Sequence, residues 1–430
     1  MTWSSRFFFI CARSRGFILA ERAPSEIYEP YFHQKNVEKG FFSTFSEYMQ
    51  DKSMMNKERG TSMKETFDLI DFALQKSGLE SLKDTTQVQY LGEGAWHQAY
   101  LIQLRDKEAV VVRFPKQEAY GRKVEFDEAA SLAEYAGTKA YYTLANSVKP
   151  GICPEFFHYH VEKDKTFTVE SYAGKAIKLE SFTFMEAFQA GAEMGEFFRN
   201  MNMAQHGLKG FGYLKWNGTA VEGQFQSSVT DFMKEENEEY LSDFREFIQN
   251  YDQPILPSAI THLEECMNNR EIDESNIVLT NQDTSPENIL LHTDGRVSLI
   301  DPVPLLYCGD SLAGNFINNY HTLYPAFFNS PRYAKHQFDR FEEKLQTIAD
   351  GFMEGYCNGD ATVRRRVKQE EFIKLTSLTA FLQKVLHSDM TLEQKIRYGE
   401  KAAIANRIPV LVKRIEEFQW EDEKSGTKLA

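Results

Sequence analysis

The chain has few cysteines, no excess of positive charge and no long apolar run, and each shortage removes a class of protein. Its five cysteines (Cys11, Cys153, Cys266, Cys308 and Cys357) are scattered, odd in number and never spaced as Cys-x-x-Cys. That excludes a disulfide framework and a thiolate zinc site, and it points to a reducing compartment, with the cytoplasm as the expected location. Lys and Arg number 49 against 63 Asp and Glu, a formal net charge of -14. A general binder of nucleic acid or of an anionic membrane is thereby excluded. No apolar stretch approaches the length that crosses a bilayer, and internal repeats and low-complexity tracts are missing as well.

What remains is the composition of a folded protein with more than one core. At 430 residues and 42% hydrophobic content the chain suits two lobes. Residues 1–60 are uninformative about activity. Phe7 to Ala12 is apolar, but Arg13 and Arg15 end it too soon for a secretory signal. Arg6, Arg13 and Arg15 among Ser4, Ser5 and Ser14, with no acid before Glu21, weakly resemble a transit peptide. Met54, Met55 and Met63 favour a plainer reading, a poorly ordered leader or N-terminal extension with the folded part beginning near residue 61.

The spacing of Phe67, Leu69, Ile70, Phe72, Ala73 and Leu74 predicts a helix over Ser62 to Leu82, weakened at its end by Gly78. Strands follow at Val88 to Leu91, Gln98 to Leu104 and Ala109 to Phe114, with Gly92-Glu93-Gly94-Ala95 between the first two. Strand, glycine loop, strand, turn, strand is a layout that folds backbone N–H groups over a triphosphate. The glycines alone say little, because Gly92-x-Gly94 lacks a third glycine and many tight turns carry two. Arg113, on the third strand, is a cation able to hold phosphate bidentately, or else a solvent-facing strand residue. A helix is expected from Lys123 to Asn146, further strands at Phe156 to Tyr159 and Thr166 to Glu170, and then helices from Phe182 onward. Phe211-Gly212-Tyr213 is expected in a loop, Ser227 to Asn250 as a charged amphipathic helix, and Phe338 to Phe418 as three or four helices.

The most informative stretch is Leu279 to Asp310, LTNQDTSPENILLHTDGRVSLIDPVPLLYCGD. Ile289-Leu290-Leu291 and Val297-Ser298-Leu299-Ile300 are short apolar strands joined through Asp294-Gly295, a turn pair that tolerates positive φ. Asn288 and Asp301 flank the strands at equal distance from that turn, so simple register predicts that they face each other. Asp283 lies a short reach upstream, in a loop of Thr, Ser and Pro. An Asp, an Asn and a second Asp converging at the end of a buried hairpin form a hard-oxygen site suited to Mg²⁺ carrying phosphates. The blander alternative, a surface hairpin with polar flanks, needs the ligands, turn and strands to coincide by chance.

Asp283-x-x-x-x-Asn288, an apolar hairpin and then Ile300-Asp301 follow the catalytic-loop and metal-loop order of kinases. Gln282 to Asn288 with Leu299-Ile300-Asp301-Pro302 resembles the aminoglycoside phosphotransferase-like family of small-molecule kinases, related to choline and fructosamine kinases. The resemblance spans residues 85–420 and is strongest over 279–310. It implies an α+β, bilobal protein-kinase-like fold: an antiparallel-sheet N-lobe with a leading helix over 61–172, a mainly helical C-lobe over 173–420 and a frayed tail over 421–430. It implies ATP- and Mg²⁺-dependent transfer of a phosphoryl group to a hydroxyl of a small molecule. Aminoglycosides, choline-like amino alcohols, homoserine, sugars and ketosamines are all hosted by that scaffold.

Residue by residue, the resemblance implies Asp283 as catalytic base and Asn288 and Asp301 as metal ligands. Gly92, Glu93, Gly94 and Ala95 would cover the phosphates, and Arg113 would clamp them where a Lys is usual. Glu134 would be the helix carboxylate paired with Arg113, and the lobe connector Val169 to Gly174, with Glu170 and Tyr172, would offer its backbone to adenine. Asp310 would buttress the catalytic segment, and the acids of the Ser227 to Asn250 helix would meet a polycation if they are not simply solvated. Asn281-Gln282 stand where the family carries His-Gly, and hydrogen bonds from Asn or Gln would have to brace the loop instead. A nucleotide-binding pseudokinase with little catalysis stays open on the strength of Arg113 and Asn281-Gln282. A protein kinase is disfavoured, because His-Arg-Asp, Asp-Phe-Gly and Ala-Pro-Glu are missing. The oligomeric state is left open.

Overall fold

The computed structural model describes residues 63–105, 108–174, 178–252, 255, 257–270, 272–291 and 296–420. The expectations for 1–60, for the Asp294-Gly295 turn and for 421–430 lie outside them. Helix α1 (Met63–Lys76) ends just before Gly78, whose φ of +75° suits glycine and stops the helix short of Leu82. Strands β1 (Val88–Glu93), β2 (His97–Gln103), β3 (Ala109–Pro115), β6 (Phe157–His160) and β7 (Phe167–Ser171) form one antiparallel sheet in the order β1-β2-β3-β7-β6. Alternation splits this sheet into two faces. Ile102, Val110, Val112, Phe167 and Val169 bury against Ile70, Ala73 and Leu74 of α1 and make a small core. Leu101, Val111, Arg113 and Glu170 lie on the opposite face.

The rest is mainly helical around a second, larger core. It holds α3 (Phe184–Asn202), α4 (Val229–Asn250), α5 (Ser258–Asn268), α6 (Gly309–Asn318), α7 (Glu342–Cys357), α8 (Ala361–His387), α9 (Leu392–Tyr398) and α10 (Lys401–Glu416). The last four of these expected helices are all found between Phe338 and Phe418. A four-stranded sheet threads this lobe in the order β10-β13-β8-β9, from β8 (Phe211–Trp216), β9 (Val221–Phe225), β10 (Ile277–Asn281) and β13 (Pro304–Cys308). Among the described residues no helix is long and apolar enough to cross a membrane.

Two expectations need correction. Phe211-Gly212-Tyr213 is not a loop but the start of β8, because Gly212 and Tyr213 pair with Leu306 and Leu305 of β13. The helix expected from Lys123 begins later, as α2 (Glu128–Val148), with the Asp127 side chain capping the Ala130 N–H. The residues before it form a small hairpin, β4 (Glu118–Ala119) and β5 (Arg122–Lys123), turned by Tyr120 and Gly121 at φ +53° and +71°. Helix α2 also ignores a clean division at residue 172. Its Tyr141, Tyr142 and Ala145 pack into the larger core with Ile152 and Cys153.

Helices α3 and α7 approach so closely that their backbones touch. Gly191 and Gly195 of α3 face Ile348 and Phe352, while Gly351 and Gly355 of α7 face Phe188 and Ala192. A Cβ on Gly195 would be driven into the Phe352 carbonyl, and backbone cannot swing aside. Gly195→Ala is expected to destabilise the protein by about 2 kcal/mol in chemical denaturation, despite the better helix propensity of alanine.

Helix α6 continues through a π-turn, Asn319–Leu323, which carries His321. Its Nδ1 lies 2.8 Å from Glu371 Oε1 and its Nε2 3.6 Å from Asp350 Oδ1. Burial alone would lower the imidazole pKa, but the two carboxylates outweigh it and lift it to about 9. A folded-state value above the unfolded one, about 6.5, favours the charged form in the fold. The stabilisation is therefore complete below pH 6.5 and disappears as the pH rises through 9. Urea denaturation at pH 6.5 and at pH 9 is expected to show His321→Gln losing its deficit against wild type, on the order of 2 kcal/mol, across this window.

Candidate active site

Residues 277–308 fold as two antiparallel ladders in series. In the outer one, Asn281 lies opposite Pro304, and the Gln282 N–H donates to the Val303 carbonyl at 3.0 Å. In the inner one, β11 (Ile289–Leu291) pairs with β12 (Val297–Leu299), and the Ile300 N–H donates to the Asn288 carbonyl at 3.0 Å. Between the two ladder ends, residues 283–287 on one strand face residues 301–302 on the other. Asp283, Asn288 and Asp301 are thus all at this junction. The register differs by one residue from the symmetric expectation, since Ile300 rather than Asp301 is opposite Asn288. The last pair of the inner ladder is Leu291 with Val297. Asp301 then leaves the ladder at φ +51°, a left-handed backbone that Asp tolerates better than most residues.

The loop before Asn288 is braced by Asn281 and Gln282. Asn281 is 2% exposed. Its Oδ1 accepts from the N–H groups of Asp283 (3.0 Å) and Val303 (2.8 Å), and its Nδ2 donates to the Asp283 carbonyl (3.2 Å). Gln282 Oε1 accepts from the Tyr213 hydroxyl at 2.7 Å, and the Thr284 carbonyl accepts from the Tyr320 hydroxyl at 3.0 Å. The Asp283 carboxylate accepts from the Ser285 N–H at 3.2 Å. Asn281 and Gln282 therefore do supply bracing hydrogen bonds. The hairpin itself is held at its edge, where Leu299 N–H donates to the Ile152 carbonyl (2.6 Å) and the Ser298 hydroxyl to the Gly151 carbonyl (2.9 Å).

On the sheet, Arg113 is paired, but not as expected. Its Nε and Nη2 donate to Glu170 Oε1 at 3.1 and 2.7 Å. The register puts Val111 opposite Glu170, so Arg113 and Glu170 are diagonal neighbours on one face, within easy reach of a long side chain. Glu134 instead lies 4.0 Å from His97, just past the glycine loop. What α2 brings to this ion pair is a hydroxyl. Tyr142 O–H donates to Glu170 Oε2 at 3.2 Å and accepts from the Asp301 N–H at 3.1 Å.

The connector reading also changes. Glu170 lies inside β7, paired with β3 on one side and β6 on the other, and the Tyr172 N–H donates to the Ala109 carbonyl at 2.9 Å. The Glu170 backbone and the Tyr172 N–H are thus engaged by the sheet. Asp310 does not buttress the catalytic segment through the contacts seen here, but accepts from Tyr356 (2.8 Å) and Arg366 (2.6 Å) and ties α6 to α7 and α8. Two of the acids of α4 are engaged as well, Glu236 on Arg270 at 2.6 Å and Asp243 on Lys384 at 2.5 Å.

The glycine loop is a tight turn. Gly92 has a φ of +131° at a bulge after Tyr90, and Gly94 N–H donates to the His97 carbonyl at 2.9 Å. Lys116 Nζ lies 3.3 Å from Glu93 Oε2 and 3.4 Å from the Gly94 carbonyl, while its N–H donates to Trp96 at 2.7 Å. Ala95 and Trp96 stand at the tip. The Trp96 ring meets Tyr120 edge-on at 5.8 Å, and the Arg397 guanidinium lies 5.3 Å above Tyr120. A hairpin of the sheet lobe thus joins the glycine loop to α9 of the helical lobe.

Sequence reasoning missed Lys116, Tyr142 and Glu287. Lys116 follows Pro115, whose strand-ending role is the available signal. Tyr142 is one aromatic among many in α2 and gave none. Glu287, inside the loop before Asn288, lies 2.9 Å from Lys335, 2.7 Å from His336 and 3.5 Å from Arg332. Burial pushes its carboxyl pKa up, but these basic groups overcome that and hold it at about 2.

No family model and no curated protein matches the chain. Solved structures are similar to it at low identity. One is a thermostable mutant of an aminoglycoside phosphotransferase, in ternary complex with ADP and hygromycin B. It is 14% identical, with a TM-score of 0.47, over 80% of this chain and 97% of that one. A macrolide 2'-phosphotransferase from Brachybacterium faecium is 10% identical, with a TM-score of 0.42, over 83% of this chain and 99% of that one. A choline/ethanolamine kinase family protein from Mesorhizobium loti is 16% identical, with a TM-score of 0.42, over 81% of this chain and 95% of that one. At such identities the reading of the site rests on this chain's own residues.

Asn281→Ala removes three hydrogen bonds at a buried position and leaves two backbone N–H groups without that acceptor. It is expected to lower the unfolding free energy by about 2–3 kcal/mol in urea denaturation.

Proposed function

We propose that this protein is a phosphotransferase that moves the γ-phosphoryl group of ATP, as its Mg²⁺ complex, to a hydroxyl of a small molecule. The observation that supports this most is the meeting of two chemistries at Tyr142. A half-buried, ion-paired arginine on the sheet and the Asp283, Asn288 and Asp301 junction on the helical side are joined through one hydroxyl. Asn288 and Asp301 supply hard oxygens of the kind Mg²⁺ takes in ones and twos, the remainder coming from phosphate and water. When bound, the cation would neutralise charge on the β- and γ-phosphates.

The protein residues have simple tasks in this reading. Asp283, fixed by Asn281 and the Ser285 N–H, accepts the proton as the acceptor oxygen bonds to phosphorus and the bond to the ADP oxygen breaks. Arg113 keeps a guanidinium directed at phosphate, with Glu170 holding Nε and Nη2. Gly92 and Gly94 leave room for phosphate oxygens; among the described residues no heavy atom lies nearer than 4.0 Å to where a Cβ would stand on either. The paired acids of α4 give no support to a polycationic acceptor over a sugar or an amino alcohol.

Mg²⁺-ATP is expected to raise the melting temperature, and ADP release across a panel of hydroxylated metabolites and aminoglycosides identifies the acceptor. With that acceptor, Asp283→Asn is expected to lower turnover by roughly 10²–10⁴-fold while the Kd for nucleotide changes by less than about threefold. Turnover near the wild-type rate in Asp283→Asn would remove Asp283 from its role, and absent stabilisation by Mg²⁺-ATP would sink the phosphotransferase reading.

A further inference from the structure

We propose that Tyr142 is a positioning residue that couples the cation facing phosphate, Arg113, to the carboxylate facing the metal, Asp301. This rests on the phosphotransferase reading above and adds a residue and an order of events to it. The warrant is an unbroken chain of hydrogen bonds. Asp301 N–H donates to the Tyr142 oxygen (3.1 Å), Tyr142 O–H donates to Glu170 Oε2 (3.2 Å), and Glu170 Oε1 accepts from Arg113 Nε (3.1 Å) and Nη2 (2.7 Å). Tyr142 is 3% and Glu170 4% exposed, so water does not compete for these groups.

The polarity of the chain is fixed by chemistry. An amide N–H only donates, a carboxylate only accepts, and the phenol has one proton, so the hydroxyl must face Glu170 with its hydrogen and Asp301 with a lone pair. Burial, reinforced by the neighbouring Glu170, holds the phenol pKa well above its ordinary value, and the proton stays in place. The groups come from β3, β7, α2 and the segment after β12. One hydroxyl therefore sets the distance between the sheet and the metal loop.

The bond to Asp301 falls where the backbone most needs a restraint. At φ +51° the chain turns into a region that non-glycine residues occupy only when their surroundings hold them there. An N–H anchored on Tyr142 fixes the peptide plane entering that turn, and hence the direction of the Asp301 carboxylate. A phosphate that draws Arg113 towards it pulls on Glu170, and through Tyr142 on Asp301. Nucleotide and metal are then bound as one event.

The test uses the full chain, ADP as probe, and calorimetric titration in EDTA and over a range of Mg²⁺. Tyr142→Phe keeps the ring, with its edge-on contact to Phe157 at 5.3 Å, and removes only the hydroxyl. The affinity for metal-free ADP is expected to stay within about twofold, while the Mg²⁺ concentration giving half of the tightening rises about tenfold. A lower melting temperature with an unchanged Mg²⁺ midpoint means a structural role only and overturns the proposal. Asp301→Asn separates the two levels. Should Mg²⁺ tighten ADP equally well in Asp301→Asn, the assignment of Asp301 as a ligand fails, and the coupling fails with it. Should Asp301→Asn abolish the tightening while Tyr142→Phe preserves it, only the coupling falls. Glu170→Gln serves if Tyr142→Phe does not fold. It too is expected to raise the midpoint, and an unchanged midpoint there overturns the proposal as well.

Discussion

The constraint on which the rest depends is the mismatch between the two ladders of residues 277–308. Each ladder is held by ordinary backbone pairing, but the strands between them are of unequal length, so one side must bulge. The bulge carries Asp283, and the short side carries Asp301. A loop in this position would be mobile if its backbone groups faced only water. Here Asn281, Tyr213 and Tyr320 tie it down, and Ile152 and Gly151 fasten the hairpin edge. The oxygens of Asn288 and Asp301 are thereby set just beyond the ends of β11 and β12, on backbone that is tied down, the condition for a candidate site organised before any ligand arrives.

Beneath the junction the helical lobe is stiffened by charge as well as by packing. Arg270 bonds Glu236 of α4 and Glu370 of α8, each at 2.6 Å, and also reaches Ser311 of α6. All three charged side chains are nearly inaccessible. Losing one partner would leave an uncompensated buried charge, which costs about 3–5 kcal/mol, so the helices that meet there keep a single arrangement. Strand β13 enters this cluster through Tyr307, whose hydroxyl lies 2.6 Å from Glu236. The outer ladder is thus anchored at its far end by the same cluster that locks the helices.

Much of this was legible in the sequence, for identifiable reasons. The strands around the glycine loop, the hairpin after Asn288 and the C-terminal helices all have apolar periodicity that survives into the fold. Arg113 stands out in the sequence because a basic residue inside an apolar strand is a conspicuous exception. Its partner was missed because Glu134 was chosen by analogy of helix order, whereas Glu170 is a cross-strand diagonal neighbour, visible only once register is known. The place of Asp301 just after the hairpin is legible in the sequence, but its facing is not, since that follows from the pairing of Ile289 with Leu299. Phe211-Gly212-Tyr213 reads as a loop because glycine looks like punctuation, whereas Gly212 supplies the φ of +85° at an irregularity inside β8. Tyr142 left no trace at all: a residue whose importance comes from one hydroxyl between two lobes has no local pattern.

Asp301 illustrates a conflict between what a backbone asks for and what a side chain offers. A residue at φ +51° is best served by glycine, and keeping another there costs the fold on the order of 1 kcal/mol. Glycine, however, brings no oxygen. A protein optimised for stability alone would resolve the conflict by discarding the carboxylate, and this chain resolves it the other way. Under the proposed reading, the free energy forgone at this one dihedral measures how far folding has been subordinated to the grip on a cation.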